Sequence, residues 1–448
     1  MVFKSVKKAR KTMKFYIKTF GCQMNESDSG IFAAFLEQSG YLPTDNIDEA
    51  DIAIVNTCSV RQHAEERAFT EIGDLKHFKA NNPNGKVIVV GCMAERMGKE
   101  LKQKFPQIDL LIGAKDAQRF PEIIKKSGLL NPLLNDPVKQ AQITPVSTFT
   151  TITRGCNNFC SYCVVPYVRG PEEYRPAEEI IKEIKELAEK GLKEVTLLGQ
   201  NVNSYRSVMS VPDPKNEGSF SIKEIDFADL LTELNKLVGI KRIRFMTNHP
   251  KDVSDKFIKT ICTLNKVCNH IHLPLQSGSD RILELMNRKY TFDYYYGLIR
   301  KLRYHFSEIS ITTDLMVGFP KENDKDFKLT LEAVNKIKFD FAYVFKYSPR
   351  ENTEAFKLKD DVPKETKEKR HKELLDLCNE TAREKNSKFV GNLAEVLVES
   401  GTGDEYTGKT KDNRAVTFHS ARNLIGQPIN IKIKEAKIHS LIGEPVVL

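Results

Sequence analysis

Cysteine is the residue type with the widest chemical reach in this sequence, and its spacing is not random. Of nine cysteines in 448 residues, three form C-x3-C-x2-C at Cys156, Cys160 and Cys163. Thiolates are soft ligands, suited to zinc, Cu(I) or iron–sulfur clusters. A structural zinc site closes four ligands. Three in one loop, with no His at finger spacing, leave one metal position open, and a cubane on three Cys keeps one iron free for a small molecule. The alternative is zinc completed by a distant residue such as Cys262 or Cys268. Cys22, Cys58 and Cys92 lie 36 and 34 residues apart, and each ends a predicted strand and opens a turn. Carboxyl ends of neighbouring parallel strands lie together, so these three are expected to converge, again with one position open. Polar residues (Gln23, Asn25, Ser59, Arg61) follow two of them, which argues against three inert buried thiols. Cys262, Cys268 and Cys378 have no such context and read as structural.

The elements that must hold these cysteines fall into three blocks, an α/β multidomain layout. The first, residues 14–127, alternates short strands and helices, with runs such as Asp-Ile-Ala-Ile-Val at 51–55 and Lys86–Val90. That pattern predicts an N-terminal α/β domain with a parallel sheet. A proline-bearing stretch without periodicity, 128–147, reads as a linker. The second block, 148–385, repeats six strand-like runs, beginning near 149, 194, 242, 270, 309 and 341, with helical patterns between them. The clearest helix is Ala177–Lys190, with Gly191 at its end. Six β-α units predict a partial (βα)6 barrel with its site at the carboxyl ends of the strands. The Ser/Pro/Asn/Gly-rich stretch 202–222 reads as a loop. The third block, 386–448, carries short alternating runs and predicts a small β-barrel.

Composition sets the class. Hydrophobic residues make up 40% and charged ones 29%, ordinary for a globular protein. No run approaches the ~18 apolar residues of a membrane span, and residues 1–14 lack the apolar core of a secretion signal. A cytoplasmic protein with no membrane partner is expected, so nine cysteines point to metal or redox use, not disulfides. Net charge is +9, and six of the basic residues sit in the tail 1–13 and Lys14, which reads as a solvated extension.

A C-x3-C-x2-C motif after the first strand of a six-strand barrel resembles the radical S-adenosylmethionine (SAM) superfamily. The chain is further identified as similar to the methylthiotransferase family, MiaB type. The residues carrying this are Thr19-Phe20-Gly21-Cys22-Gln23-Met24-Asn25, the Cys58 and Cys92 contexts, Gly155-Cys156 through Arg169-Gly170, Leu198–Tyr205, His272–Ser279 and Gly408–Phe418. The resemblance spans the chain from Met13, and its third block corresponds to a TRAM RNA-binding domain. Lys321 and Asn352 stand where the family usually has Gly, Glu354 where it has Pro, and Lys409 where it has Arg.

The resemblance implies methylthiolation of C2 of N6-isopentenyladenosine beside the tRNA anticodon, with two SAM and two 4Fe-4S clusters. The cluster on Cys156, Cys160 and Cys163 would bind SAM and cleave it to a 5′-deoxyadenosyl radical that takes hydrogen from C2. The auxiliary cluster on Cys22, Cys58 and Cys92 would present the sulfur. Tyr162, Gly199, Gln200, Asn201, Gln276, Ser277 and Asp314 are expected at the cofactor, with packing as the alternative for Tyr162 and turn or cap roles for the polar residues. Lys411, Arg414 and Phe418 are expected to contact RNA. The implied partners are a tRNA anticodon stem-loop carrying N6-isopentenyladenosine, an electron donor such as flavodoxin or ferredoxin, and a sulfur or cluster delivery protein. A monomer is expected. Rival readings are methylthiolation of threonylcarbamoyl-adenosine tRNA or of a ribosomal-protein aspartate, and a non-catalytic zinc- or cluster-stabilised RNA-binding protein. Gln23-Met24-Asn25 disfavours the first two.

Overall fold

The computed structural model describes residues 12–60, 62–130, 146–212 and 220–446. Most of the basic tail, Arg61 and the linker stretch 131–145 lie outside the described residues. The chain divides into two compact units, 1–142 with 167–170, and 143–166 with 171–448.

The first unit is a five-stranded parallel sheet in the order β2-β1-β3-β4-β5, formed by β1 (Lys14–Thr19), β2 (Leu42–Pro43), β3 (Ile52–Thr57), β4 (Lys86–Gly91) and β5 (Leu110–Gly113). Period-2 alternation supplies both its faces. Ala53, Val55, Val87 and Val89 pack on one side with Ile72 and Leu75, and Ile52, Ile54, Ile88 and Val90 on the other with Phe32, Leu36 and Phe120. Each of these large side chains contributes about 1.5–3 kcal/mol by leaving water. The helices are α1 (Gln23–Gln38), α2 (Gln62–Asn81), α3 (Cys92–Met97), α4 (Lys99–Lys104) and α5 (Phe120–Ser127), together with the short α6 (Val165–Arg169), whose last three residues pack within this unit.

In the second unit the six expected strands form two parallel sheets. One is β6 (Ser147–Thr151), β9 (Glu194–Leu198) and β12 (Arg242–Phe245), and the other is β13 (His270–His272), β14 (Ser310–Val317) and β15 (Phe341–Lys346). A lone parallel bridge, Ile243 to Val267, joins them into an open barrel. Two-residue strands β7 (Thr153–Arg154) and β8 (Glu173–Tyr174) pair at its edge. Around the sheets run α7 (Ala177–Glu189), α8 (Phe227–Asn235), α9 (Asp255–Thr263), α10 (Asp280–Leu285), α11 (Phe292–His305), α12 (Asp324–Ile337) and α13 (Lys364–Ser387). The expected loop at 202–222 is corrected: β10 (Arg206–Pro212) and β11 (Phe220–Asp226) pair as an antiparallel hairpin. Val208, Phe220 and Ile222 are exposed on it, and among its described residues only Ile225 and Met209 reach the core, so little apolar alternation was left for the sequence to display.

The last block closes into a five-stranded barrel of β16 (Leu393–Thr402), β17 (Glu405–Thr410), β18 (Ala415–His419), β19 (Pro428–Ala436) and β20 (Ser440–Pro445). Val396, Val398, Val416, Phe418, Ile431, Ile433 and Leu441 fill it. The α/β layout with a small terminal barrel is the one expected. Among the described residues, no helix is long and apolar enough to cross a membrane.

Candidate active site

In the first unit, Cys22 lies between β1 and α1, Cys58 directly follows β3, and Cys92 opens α3 after β4. Register alone places them at one edge, because Thr19 pairs with Asn56 and Thr57 with Gly91. Two glycines let the strand ends close up. A Cβ on Gly21, at φ +116°, would sit 2.5 Å from Cys58 Cβ and 2.9 Å from its Sγ. One on Gly91, at φ +106°, would sit 2.4 Å from the Thr57 carbonyl oxygen. Asn25 stitches the edge, its Nδ2 donating to the carbonyls of Phe20 (2.8 Å) and Thr57 (2.9 Å). Thr57 Oγ1 donates to Val90 O at 2.7 Å. Burial pushes the Cys92 thiol up, and the neighbouring Cys22 adds to this, against the pull of Arg169. Arg169 is itself buried, with Nη2 donating to Asn25 Oδ1 at 2.7 Å.

In the second unit, Cys156, Cys160 and Cys163 lie in the loop after β7. Ser161 anchors this loop, with its amide donating to Met286 O (3.0 Å) and its hydroxyl to Leu285 O (2.8 Å). Buried Arg288 donates from Nη1 to Cys160 Sγ at 3.3 Å, from Nε to Tyr290 Oη at 2.8 Å and from Nη2 to Pro274 O at 3.0 Å. Burial raises the Cys156 thiol to about 11. It raises Cys163 as well, helped by neighbouring Cys160. Such thiols ionise only against a compensating cation. Three soft donors per set, each beside a buried guanidinium, fit an anionic iron–sulfur cluster. Among the described residues, no group of three or more His, Cys, Asp or Glu side chains is gathered tightly enough to hold a single metal ion, whereas a cubane spreads its three thiolates over three irons.

The expected cofactor residues divide. Gln200 Oε1 is buried without a hydrogen-bond partner, as an unfilled ligand site would leave it. Asn201 is engaged internally, donating to Asp252 Oδ2 (2.6 Å) and accepting from the His249 amide (3.2 Å). Gly199 serves packing: a Cβ there would lie 2.0 Å from Thr153 Oγ1. Tyr162 packs against Met286, Phe319 and Tyr347. Gln276 takes φ +72° in a bridge to Leu315. Ser277 is fully buried against Thr330 at 3.3 Å. Asp314 lies 3.4 Å from His272 Nε2, at the end of a chain from His270 through Thr312 (2.9 and 3.0 Å).

A family model described as the radical SAM superfamily matches residues 150–334, and one described as the uncharacterized protein family UPF0004 matches residues 14–113. A tRNA-2-methylthio-N(6)-dimethylallyladenosine synthase of Clostridium novyi is 44% identical over 96% of both chains. One of the same name from Endomicrobium trichonymphae is 43% identical over 97% of this chain and 100% of its own. The chain belongs to the tRNA-2-methylthio-N(6)-dimethylallyladenosine synthase family. The barrel of this synthase-family chain is also found in TsrM, a radical SAM methyltransferase from Kitasatospora setae, at TM-score 0.51, 13% identity and 75% coverage of each chain; that likeness concerns the fold alone.

One of the three expected RNA contacts in the synthase-family chain, Phe418, is corrected. Phe418 points into the β-barrel core and stacks on Tyr406 at 5.9 Å, so it has no face for a base. Arg414 is held by Asp340 (2.9 Å), Asn386 (2.8 Å) and Asp412, and lies over the Phe389 ring. Lys411 keeps a partly exposed ammonium that donates to Asn265 O at 3.3 Å. Sequence reasoning missed Asn203, whose side-chain N and O are both buried and unpartnered, and the unpartnered Asn248 Oδ1 and His249 Nε2. All three follow barrel strands β9 or β12, and polar residues just past a barrel strand were the available signal. Arg169 stood in the stretch that carries the resemblance, but nothing in the sequence marked its role or singled out Arg288, because those roles exist only in the folded chain.

Proposed function

We propose that this protein methylthiolates C2 of N6-isopentenyladenosine in the anticodon loop of tRNA. The observation that carries the proposal is the pair of separate three-cysteine sets, each on the carboxyl side of parallel strands in its own α/β sheet. When bound, two 4Fe-4S clusters and SAM supply the one-electron chemistry and the sulfur, which acid–base catalysis cannot provide at an unactivated C–H. Cys156, Cys160 and Cys163 hold the SAM-binding cluster, and Cys22, Cys58 and Cys92 the sulfur-presenting one. Arg288 fixes Cys160 by donating to its Sγ at 3.3 Å.

The unpartnered polar atoms of Gln200, Asn203, Asn248 and His249 bind the polar ends of the cofactor. Leaving each unmade costs about 1–3 kcal/mol, which binding recovers. Burial, with Arg288 and Lys251 adding, pushes the His249 pKa down to about 2 and keeps the ring neutral; its Nδ1 accepts from the Lys251 amide at 3.3 Å, so Nε2 carries the proton and donates to the cofactor. The terminal β-barrel contributes to tRNA binding through its exposed surface, and phosphate contacts make that binding salt-dependent. An electron donor such as flavodoxin or ferredoxin and a sulfur or cluster delivery protein complete the cycle in the cytoplasm.

The test is anaerobic turnover of reconstituted enzyme with isopentenylated tRNA, SAM and a reductant. The expected products are 2-methylthio tRNA, 5′-deoxyadenosine and S-adenosylhomocysteine. Fully loaded enzyme that cleaves SAM but leaves the isopentenylated tRNA unmodified, while modifying threonylcarbamoyl tRNA, would move the assignment to that substrate.

A further inference from the structure

Arg169 is a guanidinium enclosed in the first unit with an unfinished set of partners. Its side chain is 4% exposed; Nη2 donates to Asn25 Oδ1 at 2.7 Å, and the guanidinium also reaches the side chain of Cys92. Nη1 stands 3.5 Å from Asp28 Oδ2 and makes no hydrogen bond. Asn25 cannot swivel to help. Its Nδ2 is committed to the carbonyls that end β1 and precede Cys58, which leaves Oδ1 as an acceptor fixed in place. The guanidinium is thus indexed to the two strand ends that carry Cys22 and Cys58. Nη1, ion-paired with Asp28 only at 3.5 Å and buried without a hydrogen bond, is left able to take a further acceptor. Beside Cys92 and Cys22, the partner chemistry is an anionic sulfur.

We propose that Arg169 is the counter-charge of the auxiliary centre: its unpartnered Nη1–H donates to sulfur in the cluster held by Cys22, Cys58 and Cys92, and so sets the potential at which that centre accepts an electron. This rests on the reading of those cysteines as cluster ligands. Cluster potentials follow net charge and hydrogen bonds to sulfur. A fixed cation stabilises the reduced, more negative state, so its loss makes reduction harder. Asp28 acts in the opposite sense, because neutralising it leaves more of the positive charge acting on the cluster.

The experiment uses the full-length chain with Cys156→Ser/Cys160→Ser/Cys163→Ser, reconstituted anaerobically so that one cluster remains. Iron per chain is counted, and the midpoint is read by EPR-monitored titration with dithionite. Arg169→Gln is expected to keep about four irons. It should also shift the one-electron equilibrium at least tenfold toward the oxidised form, which is about 59 mV. Arg169→Lys should stay near the parent, and Asp28→Asn should shift the opposite way. A parent-like midpoint in Arg169→Gln, or an equal shift in Arg169→Lys, overturns the proposal. If Arg169→Gln holds no iron, Asp28→Asn decides, and an unmoved or lowered midpoint overturns it. A parent without iron would defeat the cluster reading itself and the proposal with it.

Discussion

Replacing Gly21 by Ala tests how the auxiliary site is assembled. Gly21 sits at φ +116°, and an added Cβ would lie 2.5 Å from Cys58 Cβ, where ordinary contact begins at 3.4 Å. The β1 and β3 ends must separate by about 1 Å, and a packed interior has no void to absorb that. Backbone strain of about 1–3 kcal/mol adds to overpacking of about 1–3 kcal/mol, so the variant should lose about 2–6 kcal/mol at this edge. Gly30, inside α1 with no heavy atom within 4 Å of its would-be Cβ, is the control. Gly30→Ala should gain about 0.5–1 kcal/mol. Hydrogen exchange of β1 and β3 amides reads the stability, and iron content reads the site. In a chain lacking Cys156, Cys160 and Cys163, Gly21→Ala should hold well under the about four irons of its parent. Full iron with unchanged exchange protection would refute the claim that Gly21 is what lets Cys22 and Cys58 meet.

Three further outcomes follow from the second unit. His249 and His270 are held neutral by burial, with nearby cations adding, while the unfolded chain titrates them near 6.5. They carry no cost above that pH, and below it each lowers stability by about 1.4 kcal/mol per pH unit. Urea unfolding at pH 7.5 and 5.5 should show a shallower acid loss in His249→Gln, and equal slopes would contradict this. The buried pair Arg244–Glu194, at 2.8 Å, predicts that Arg244→Met costs about 3–5 kcal/mol and that adding Glu194→Leu recovers much of it; an additive double mutant would count against that. Lys321 sits at φ +69°, so Lys321→Gly should raise stability by up to about 1 kcal/mol in chemical denaturation, despite the entropy of glycine.

Much of this architecture is visible in the sequence because burial leaves a period. Ile52–Thr57 is buried on both faces and its first four residues, Ile52–Val55, read as a continuous apolar run, and α7 shows its stripe from Ala177 to Ala188. Cys22, Cys58 and Cys92 are legible for the same reason, since each directly follows such a strand or its glycine. Lys321 and Asn352, which replace glycines usual in related chains, both occupy positive φ, at +69° and +66°. What stayed hidden depends on facing. The alternation Ala415-Val416-Thr417-Phe418-His419 puts Phe418 inward with Val416, although an aromatic ring near Lys411 and Arg414 also fits a base-stacking role. Gly199 looked like a cofactor approach but clears Thr153. Arg169 lies 144 residues from its partner Asn25, a pairing no local pattern encodes.

Iron and sulfide content after anaerobic reconstitution tests the two-cluster account most directly. The comparison is between wild type, Cys156→Ala/Cys160→Ala/Cys163→Ala and Cys22→Ala/Cys58→Ala/Cys92→Ala. The account predicts about eight irons with matching sulfide in wild type and about four in either triple variant. Zinc in place of iron, or a triple variant that keeps the wild-type iron, would contradict it.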